Sequence, residues 1–354
     1  MKVAMLQASL PPAPGAGGVG HQVHLLSSEL VRRGHDVTAF VVDDPEPDAP
    51  YECIPVPAPR GRASRILGIG LHFARLDLSA FDVVHAHGDD WRFGLRPRAR
   101  TFYGSALMEA RTATNWLRRG AQACYYPLEW ISSANAHSVA ISENTTRYLP
   151  LIRRVVPCAY DPGVFFPGPQ RRAEPSILFV AGTLSGRKRG QLLLQTFEEV
   201  RRSVPQARLT IVSQERVDCE GVTCLSNVDA AMLGDLYRSH WVLCSTSSYE
   251  GFGVPYVEAL ASGLPVVTTP NVGAAEVLGR GDLGVLAPPD RLATALVTLL
   301  GDDVARQRLA TRGVEAARRY SVQSVAAEYE ELYDQVAAAA ERRWRGRSSQ
   351  ARHP

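Results

Sequence analysis

Apolar runs of strand length alternate with segments of helical period along nearly the whole chain. In the first helical segment, HQVHLLSSELVRR at 21–33, Val23, Leu26 and Leu30 recur at the spacing of one helix face. Strands that alternate with helices predict a parallel sheet, so we expect an α/β fold. The predicted strands of the first half are KVAMLQAS (2–9), VTAFVV (37–42), FDVVHAHG (81–88) and SVAIS (138–142).

The alternation stops at 157–175, where prolines and glycines crowd together in PCAYDPGVFFPGPQRRAEP, and then begins again. Because 354 residues are too many for one typical core, we predict two Rossmann-like domains, at 1–163 and 164–325. A C-terminal helix and basic tail follow at 326–354, and we expect the last residues, ERRWRGRSSQARHP, to be partly disordered. The second half has predicted strands SILFVAG (176–182), ARLTIVS (207–213), WVLCST (241–246) and LPVVTT (264–269), and a helix with Leu193, Phe197 and Val200 on one face.

Composition narrows the class of protein. The net charge of +3 is small for this length and gives no case for nucleic acid as a partner. The six cysteines show no C-x-x-C spacing, which argues against a zinc site or a disulfide scaffold and favours reduced thiols in the core. The first residues, MKVAMLQASLPP, match neither a signal peptide nor a membrane span, so we expect a cytoplasmic protein.

The segment GAGGVG at 15–20 matches the dinucleotide-binding fingerprint G-x-G-x-x-G letter for letter. A true fingerprint begins right after the first strand, whereas here LPPAP intervenes, and the acidic pair Asp43 and Asp44 after the second strand is not decisive. Two other interpretations remain. The glycines either let a loop turn into a helix starting near Gly20, or keep the loop small so that a ligand can approach backbone amides.

A sharper signal lies in SSYEGFGVPYVEALASG at 247–263. Pro255 is well suited to open a helix directly after a glycine turn, and amides at such an N-terminus bind phosphate or sugar oxygens. A helix beginning near Val254 places Glu258 about one turn in, where its carboxylate can accept hydrogen bonds from a vicinal diol. Glu250 precedes the glycine turn and reaches the same pocket from the other side. Two carboxylates do not bind phosphate, so their targets should be hydroxyl groups.

Cations for a phosphate group occur in GTLSGRKRG at 182–190, a loop between a predicted strand and a predicted helix. Arg187 and Lys188 together can neutralise a diphosphate, which removes the need for Mg²⁺. The alternative interpretation of 187–189 is a solvated basic turn.

These segments resemble the family 4 retaining glycosyltransferases of GT-B architecture. The similarity extends over nearly the whole chain and includes the helix ending RRGHDV, FDVVHAH, SVAISENT, VVPCAYDPGVFFPG, GTLSGRKRG, the two glutamates eight residues apart, and NVGAAEVLGRGDLGVLAPPD. The resemblance implies two Rossmann-like domains facing across a cleft, an N-terminal acceptor-binding domain, a C-terminal donor-binding domain, and a C-terminal helix that crosses back to the N-terminal domain. It also implies a nucleoside-diphosphate sugar as co-substrate, and we expect UDP or GDP as the nucleotide, with no further cofactor and no metal.

The resemblance also implies a role for individual residues. Arg187 and Lys188 would hold the donor diphosphate, Glu258 would bind the ribose, and Gly18 would sit by the phosphates. Glu250 would contact hydroxyls of the transferred sugar, aided by the amides of Gly251, Phe252 and Gly253.

The chain departs from the family pattern in two places. The family commonly has a histidine in a T-F-H-G-type stretch near the reacting carbon, whereas this chain has TFYGS, which assigns that active-site position to Tyr103. The segment rich in proline and glycine at 157–175 begins with PCAY, where the family usually has N-G-V.

The residues that recognise the acceptor are harder to predict from the sequence. The segment WRFGLRPRAR at 91–100 is either a solvated basic loop or a surface for an anionic acceptor or a membrane. His85 and His87 are expected in the core, although His87 could line the cleft. The arginines of the basic segment are Arg92, Arg96, Arg98 and Arg100, and the aromatic residues Tyr125, Tyr126 and Trp130 are expected to serve packing.

Three classes of function therefore stay open. The leading one is a retaining hexosyltransferase that acts on a hydroxyl of a small-molecule or glycolipid acceptor, such as a natural product or a cell-envelope precursor. A nucleotide-sugar 2-epimerase of GT-B shape would share the fold and the donor. A non-catalytic sugar-nucleotide binding protein would bind donor and transfer nothing. Peripheral membrane contact is compatible with each class, and the sequence does not indicate an oligomeric state.

Overall fold

The chain folds into two compact units in a computed structural model. The first unit comprises Met1–Ala159 and Val322–Pro354, and the second comprises Tyr160–Ser321. The C-terminal helix thus returns to the first unit, and the divisions fall after 159 and 321, where the sequence placed them after 163 and 325. The structure describes residues 1–11, 17–43, 48–57, 69–70, 72–88, 98–112, 116–134, 137–168 and 172–350.

The first unit is built on a parallel sheet whose described strands run in the order β3-β2-β1-β4-β5-β6-β7. Its strands are β1 (Lys2–Leu6), β2 (Asp36–Val41), β3 (Glu52–Pro55), β4 (Val83–Ala86), β5 (Ala99–Phe102), β6 (His137–Ala140) and β7 (Arg154–Val155). Its described helices are α1 (Gly17–Arg32), α2 (Ala106–Thr112), α3 (Trp116–Ala134), α4 (Glu143–Tyr148) and, from the end of the chain, Val322–Gln350.

The core of the first unit confirms the predicted apolar stripe. Val23, Leu26 and Leu30 of α1 are buried against β1 and β2, and the C-terminal helix contributes Tyr329 and Tyr333 to the same cluster. Burying such side chains stabilises a fold by roughly 1.5 to 3 kcal/mol each. The helix α1 begins at Gly17, earlier than the predicted start near Gly20, because glycine is a weak helix former and its run resembles a loop.

One segment of the first unit is a strand where the sequence suggested a loop. Arg100 lies in β5, is only 3% exposed, donates a hydrogen bond from Nη2 to the Gly88 carbonyl at 2.7 Å, and stacks 4.5 Å from the centre of the Phe102 ring. Arg98 is equally buried. Neither a solvated loop nor an acceptor surface is therefore correct for these two arginines. Arg92 and Arg96 lie outside the described residues.

The second unit has the strand order β10-β9-β8-β11-β12-β13, the 3-2-1-4-5-6 pattern of a doubly wound dinucleotide fold. All of its described pairings are parallel. Its strands are β8 (Ser176–Val180), β9 (Arg208–Val212), β10 (Val222–Leu225), β11 (Val242–Ser245), β12 (Val266–Thr268) and β13 (Val285–Leu286). Its helices are α5 (Gly190–Ser203), α6 (Ala230–Ser239), α7 (Val254–Ala261), α8 (Val272–Val277), α9 (Leu292–Gly301) and α10 (Asp303–Ala317).

The core of the second unit also follows the predicted pattern. Leu193, Phe197 and Val200 line one face of α5 and pack on strands β8 and β9. These strands and α5 place the loop after β8 at the carboxyl edge of the sheet, where open α/β folds bind ligands.

Two further expectations need correction. The C-terminal helix, α11 (Val322–Gln350), continues through most of the segment expected to be partly disordered, because that segment is rich in good helix formers. None of the six cysteines forms a disulfide, but Cys124 and Cys219 are exposed, so a place in the core holds only for part of the set, notably Cys158 and Cys244. No helix in the described ranges is both long and apolar enough to span a bilayer.

Candidate functional site

The predicted donor residues lie at the switch point of the second sheet. Strands β8 and β11 are neighbours there. The chain continues from β8 to β9 in one direction along the sheet and from β11 to β12 in the other. The loop after β8 carries Arg187 and Lys188, and the loop after β11 carries Glu250 and its glycine turn. A crevice at this point is where doubly wound folds bind nucleotides.

The basic loop is held in one conformation by the loop beside it. Residues Gly186–Lys188 form a single 3-10 turn. The Ser248 amide donates to the Arg187 carbonyl at 2.9 Å, and the Thr246 hydroxyl donates to the Lys188 carbonyl at 2.6 Å. These bonds fix the backbone of Arg187 and Lys188. A basic turn that served only to expose charge to solvent would not need such bonds. Arg187 itself is exposed.

Arg189 is a residue of the site that the sequence did not single out. Its backbone is left-handed, with φ of 50°, and its guanidinium points into the unit. Nε donates to the Thr246 carbonyl at 2.6 Å and Nη2 donates to the Thr269 hydroxyl at 2.8 Å. Arg189 therefore ties the basic loop to the ends of β11 and β12, while nothing in the run RKR distinguishes it from its neighbours.

Lys188 and Glu250 form an ion pair through Nζ and Oε1. The two side chains are 15% and 11% exposed, so both charges are largely removed from water and each depends on the other. The pair thus joins Lys188, which is predicted to bind a diphosphate, to Glu250, which is predicted to bind sugar hydroxyls. The pair itself carries no net charge until a ligand engages one of the partners.

The glycine turn before α7 depends on two glycines, one in the turn and one in α8. Gly253 caps the helix with φ of 102°, a conformation that disfavours other residues. Gly273 lets α8 approach the turn closely, since a Cβ there would collide with the Phe252 carbonyl and lie 2.9 Å from the Glu250 carbonyl oxygen. The turn is thus pressed against α8, and its amides are held in place.

The turn presents main chain rather than side chains. The ring of Phe252 is buried and packs edge-on against Tyr320 at 5.7 Å between ring centres. Helix α7 begins at Val254 with Pro255 in its first turn, as predicted. Gly251, Phe252 and Gly253 are therefore suited to contact a ligand through backbone amides next to a helix N-terminus.

Glu258 lies in α7 and faces α6. Its Oε2 accepts a hydrogen bond from the Tyr237 hydroxyl at 2.8 Å. Burial raises the pKa of Glu258 to about 7, and the hydrogen bond from Tyr237 partly opposes that rise. A carboxyl group with this pKa changes its charge within the physiological range, and only its ionised form is a full acceptor for a diol.

The remaining predicted residues belong to the first unit. Gly18 is exposed in the first turn of α1, with open space where a side chain would project. Tyr103 follows β5, is half-buried, and places its hydroxyl 3.1 Å from Nδ1 of His87. Burial raises the pKa of Tyr103 well above its usual value, so the phenol is neutral.

His85 in β4, His87 directly after it and two aromatic residues of α3 are in the interior or pack on it. His85 is fully buried between the Tyr333 and Thr101 hydroxyls, and His87 is 2% exposed. Tyr126 and Trp130 pack against the cluster that contains Phe102. Among the described residues, no group of three or more His, Cys, Asp or Glu side chains is arranged to hold a metal ion.

Two family models match the chain and together cover most of it. "Glycosyltransferase Family 4" matches residues 16–164, and "Glycosyl transferases group 1" matches residues 174–302. The chain contains both of these glycosyltransferase domains. The first match covers the Gly18 and Tyr103 segments, and the second covers the basic loop and both glutamates.

Curated relatives of this protein include mannosyltransferases and other glycosyltransferases. A phosphatidyl-myo-inositol mannosyltransferase from Mycobacterium leprae is 34% identical over 179 residues, 47% of this chain and 48% of the relative. A D-inositol 3-phosphate glycosyltransferase from Corynebacterium efficiens is 24% identical over 410 residues, 96% of each protein. The matched segment thus spans about half the length of the mannosyltransferases.

Solved structures agree with the fold at low sequence identity. Sucrose-phosphate synthase from Thermosynechococcus elongatus superposes with a TM-score of 0.80 and 21% identity, over 96% of this chain and all of that one. Anabaena Alr3699/HepE, in complex with UDP-glucose, gives a TM-score of 0.69 and 14% identity over 96% of this chain and all of that one. The protein therefore has the two parallel α/β domains of the GT-B architecture.

Proposed function

We propose that this protein is a retaining hexosyltransferase that moves a sugar from a nucleoside-diphosphate sugar to a hydroxyl group of an acceptor, without a bound metal. The observation that carries the proposal is the Lys188–Glu250 ion pair at the switch point of the second unit. It joins a cation suited to a diphosphate with a carboxylate suited to sugar hydroxyls, in the place where the sheet topology favours a nucleotide.

Binding of the donor exchanges the partners of this pair. Lys188 moves its ammonium to the diphosphate, assisted by Arg187, and Glu250 accepts hydrogen bonds from hydroxyls of the sugar. Because each charge is already paired before binding, the donor replaces one set of contacts by another and neither charge is left alone at low exposure. The amides of Gly251, Phe252 and Gly253 add donors for sugar oxygens.

In the transfer step, the bond between the anomeric carbon and the diphosphate oxygen breaks, and a bond to the acceptor oxygen forms on the same face of the sugar. The acceptor hydroxyl passes its proton to the departing phosphate oxygen, so no carboxylate attacks the sugar. Arg187 and Lys188 stabilise the charge that grows on the diphosphate, and preorganised cations of this kind contribute strongly to rate. These two cations replace a metal in this role.

Glu258 binds the ribose of the nucleotide, and Tyr237 orients its carboxyl group. UDP or GDP is the expected nucleotide. The Anabaena HepE structures, which are complexes with UDP and with UDP-glucose, support a donor of this class for this fold.

The acceptor is a hydroxyl-bearing small molecule or glycolipid. The names of the mycobacterial and corynebacterial relatives specify inositol-containing acceptors, so myo-inositol and its phosphates are the first acceptors to test. For the same reason, contact with a membrane surface during transfer is part of the proposal for a glycolipid acceptor.

Thermal unfolding without added metal tests the donor class. We expect one of UDP, GDP, ADP or dTDP, at 100 times its dissociation constant, to stabilise the protein by about 2.7 kcal/mol, and NAD to have no effect. Stabilisation by NAD alone would contradict the proposal and restore GAGGVG as a dinucleotide site. Release of a free nucleotide sugar epimer in the absence of acceptor would instead indicate the 2-epimerase, and donor binding without any turnover would indicate a binding protein.

A further inference from the structure

The first unit holds a histidine and a tyrosine at the carboxyl ends of two neighbouring strands. His87 follows β4, Tyr103 follows β5, and Nδ1 of His87 lies 3.1 Å from the Tyr103 hydroxyl. The imidazole is 2% exposed, whereas Tyr103 keeps part of its surface exposed. His87 is thus the interior partner of the residue that occupies the family's histidine position.

The second ring nitrogen of His87 decides where the proton lies. Nε2 is 3.4 Å from the sulfur of Met5, a side chain that is fully buried. A thioether has no proton to give and can only accept a weak hydrogen bond. The contact therefore has the form Nε2–H···Sδ, with the imidazole as donor.

Neutral imidazole carries one proton, so the other nitrogen must be an acceptor. Burial lowers the pKa of His87 to about 3, which keeps the ring neutral at physiological pH. With the proton on Nε2, Nδ1 has a lone pair that faces the Tyr103 hydroxyl. The hydroxyl has one proton, and it donates that proton to Nδ1.

We propose that His87 is a positioning residue that commits the Tyr103 proton, so that the Tyr103 oxygen meets a ligand only as a hydrogen-bond acceptor. The group it recognises is a hydroxyl that donates, on the transferred sugar or on the acceptor molecule. Donation to His87 also polarises the phenol and strengthens its oxygen as an acceptor. This inference rests on the proposed function, because it assigns Tyr103 to the active site.

The neighbouring histidine does not share this role. The ring of His85 packs against that of His87, with 3.8 Å between ring centres and 41° between ring planes, and its nitrogens lie 2.7 Å and 2.8 Å from the hydroxyls of Tyr333 and Thr101. Both nitrogens of His85 are thus bonded within the core. His85 therefore contacts the His87 ring but leaves both of its nitrogens to Met5 and Tyr103.

Nitrogen-15 NMR of the whole protein, labelled at histidine, tests the proton assignment without any substrate. We expect His87 to show the Nε2–H tautomer at pH 6 to 8, with its signals identified by their loss in His87→Asn. Tyr103→Phe should shift the Nδ1 resonance and leave the Nε2 proton in place. A proton on Nδ1 of His87, or an Nδ1 resonance that ignores Tyr103→Phe, would overturn the proposal.

Turnover tests the consequence for the ligand, with UDP-glucose and GDP-mannose as donors and water and myo-inositol as acceptors. His87→Leu removes the partner of Tyr103 and should lower kcat/KM by about tenfold, similar to Tyr103→Phe, because each loses one oriented hydrogen bond. His87→Asn should recover most of the activity, since its amide oxygen lies near the position of Nδ1 and accepts the same proton. The double variant His87→Leu with Tyr103→Phe should lose no more than either single variant.

The chain offers a matched control in the same unit. The Tyr51 hydroxyl lies 2.8 Å from Nδ1 of His24, so Tyr51→Phe removes the hydroxyl of a second histidine–tyrosine pair. We expect Tyr51→Phe to keep kcat/KM within about twofold of wild type. Equal losses in Tyr51→Phe and Tyr103→Phe would show a merely structural effect and reject the role of Tyr103.

The same variants identify which molecule carries the hydroxyl. If Tyr103→Phe weakens UDP-glucose more than UDP, the hydroxyl belongs to the sugar, and if it raises only the KM for myo-inositol, the hydroxyl belongs to the acceptor. Failure of the proposed function as a whole would appear as the absence of nucleotide binding in the wild type, with the NMR result unchanged. Nucleotide binding and turnover that Tyr103→Phe leaves intact would reject this inference alone.

Discussion

Lys188 and Glu250 are 62 residues apart in the sequence and form a direct ion pair at adjoining strand ends. Each side chain is less than one-sixth exposed, so each charge relies on the other in the unliganded protein. The pair is consequently a stability element and a proposed donor contact at once, and the two roles predict different consequences for different substitutions.

Lys188→Ala should destabilise the protein because it leaves the Glu250 carboxylate without its partner at low exposure. We expect a loss of about 2 kcal/mol, below the range for fully buried pairs, measured by urea unfolding. Arg202→Ala, which breaks a surface pair with Glu198 in which both side chains are about 70% exposed, is the matched control and should change stability by less than about 0.5 kcal/mol. An unchanged free energy of unfolding in Lys188→Ala would show that the pair does not stabilise the protein.

Glu250→Gln should reduce turnover far more than nucleotide binding. The amide keeps the size of the side chain but loses the charge that accepts hydrogen bonds from sugar hydroxyls, so we expect kcat to fall by about a hundredfold. The Kd for UDP, measured by calorimetry, should stay within about threefold of the wild-type value, because UDP lacks the transferred sugar. A variant with wild-type turnover would remove Glu250 from the site.

Nucleotide binding should strengthen as pH rises from 6 to 8. The pKa of Glu258 is about 7, so its ionised fraction rises from about one-tenth to about nine-tenths over this range, and only that form fully accepts from the ribose. We expect the Kd for UDP to fall about tenfold in the wild type. In Glu258→Gln the fall should shrink to the part that comes from ionisation of UDP itself, and an identical pH dependence in both proteins would contradict the assignment.

Glu258 should also lower stability at alkaline pH. Its folded pKa lies above the unfolded value of about 4.3, so the folded state holds the extra proton, and the resulting stabilisation is lost as pH rises through about 7. Glu258→Gln imitates the protonated form and should be more stable than the wild type by about 1 to 3 kcal/mol at pH 8, with little difference at pH 4.5. Thermal unfolding at both values checks this sign.

Gly273→Ala should reduce activity and stability, although Gly273 is not itself a predicted ligand-binding residue. The added methyl group would displace the carbonyls of Glu250 and Phe252, so we expect a loss of turnover of at least tenfold and a lower Tm. Gly301→Ala, at the end of α9, has open space around the new methyl group and is the matched control. It should keep full activity, and equal behaviour of the two variants would show that the turn tolerates movement.

The main elements of both units were predictable because their side chains follow simple periods. The stripe of Val23, Leu26 and Leu30 and the stripe of Leu193, Phe197 and Val200 are each buried as the spacing predicted. Strand β5 was missed because it is short and its middle holds Arg100 and Thr101, whose burial depends on partners elsewhere in the chain. Local patterns carry no information about such partners.

The site was predictable in its residue types and less so in its contacts. Glutamates, glycines and cations after strand ends indicated a sugar nucleotide, and the structure places these residues at one edge of one sheet. The Lys188–Glu250 pair and the anchoring bonds of Arg189 connect distant segments, and the pKa of Glu258 depends on its burial beside α6. Those features arise only when the chain is folded.

The return of α11 to the first unit has a consequence for synthesis. The ends of the second unit are joined, since Tyr160 pairs with Ser321 and its amide donates to the Tyr320 carbonyl at 2.9 Å, so this unit is an insertion within the first. The first unit lacks Tyr329, Tyr333 and Val336 of its core until the last helix has been translated. On the ribosome, the domain that starts first is therefore the one that finishes last.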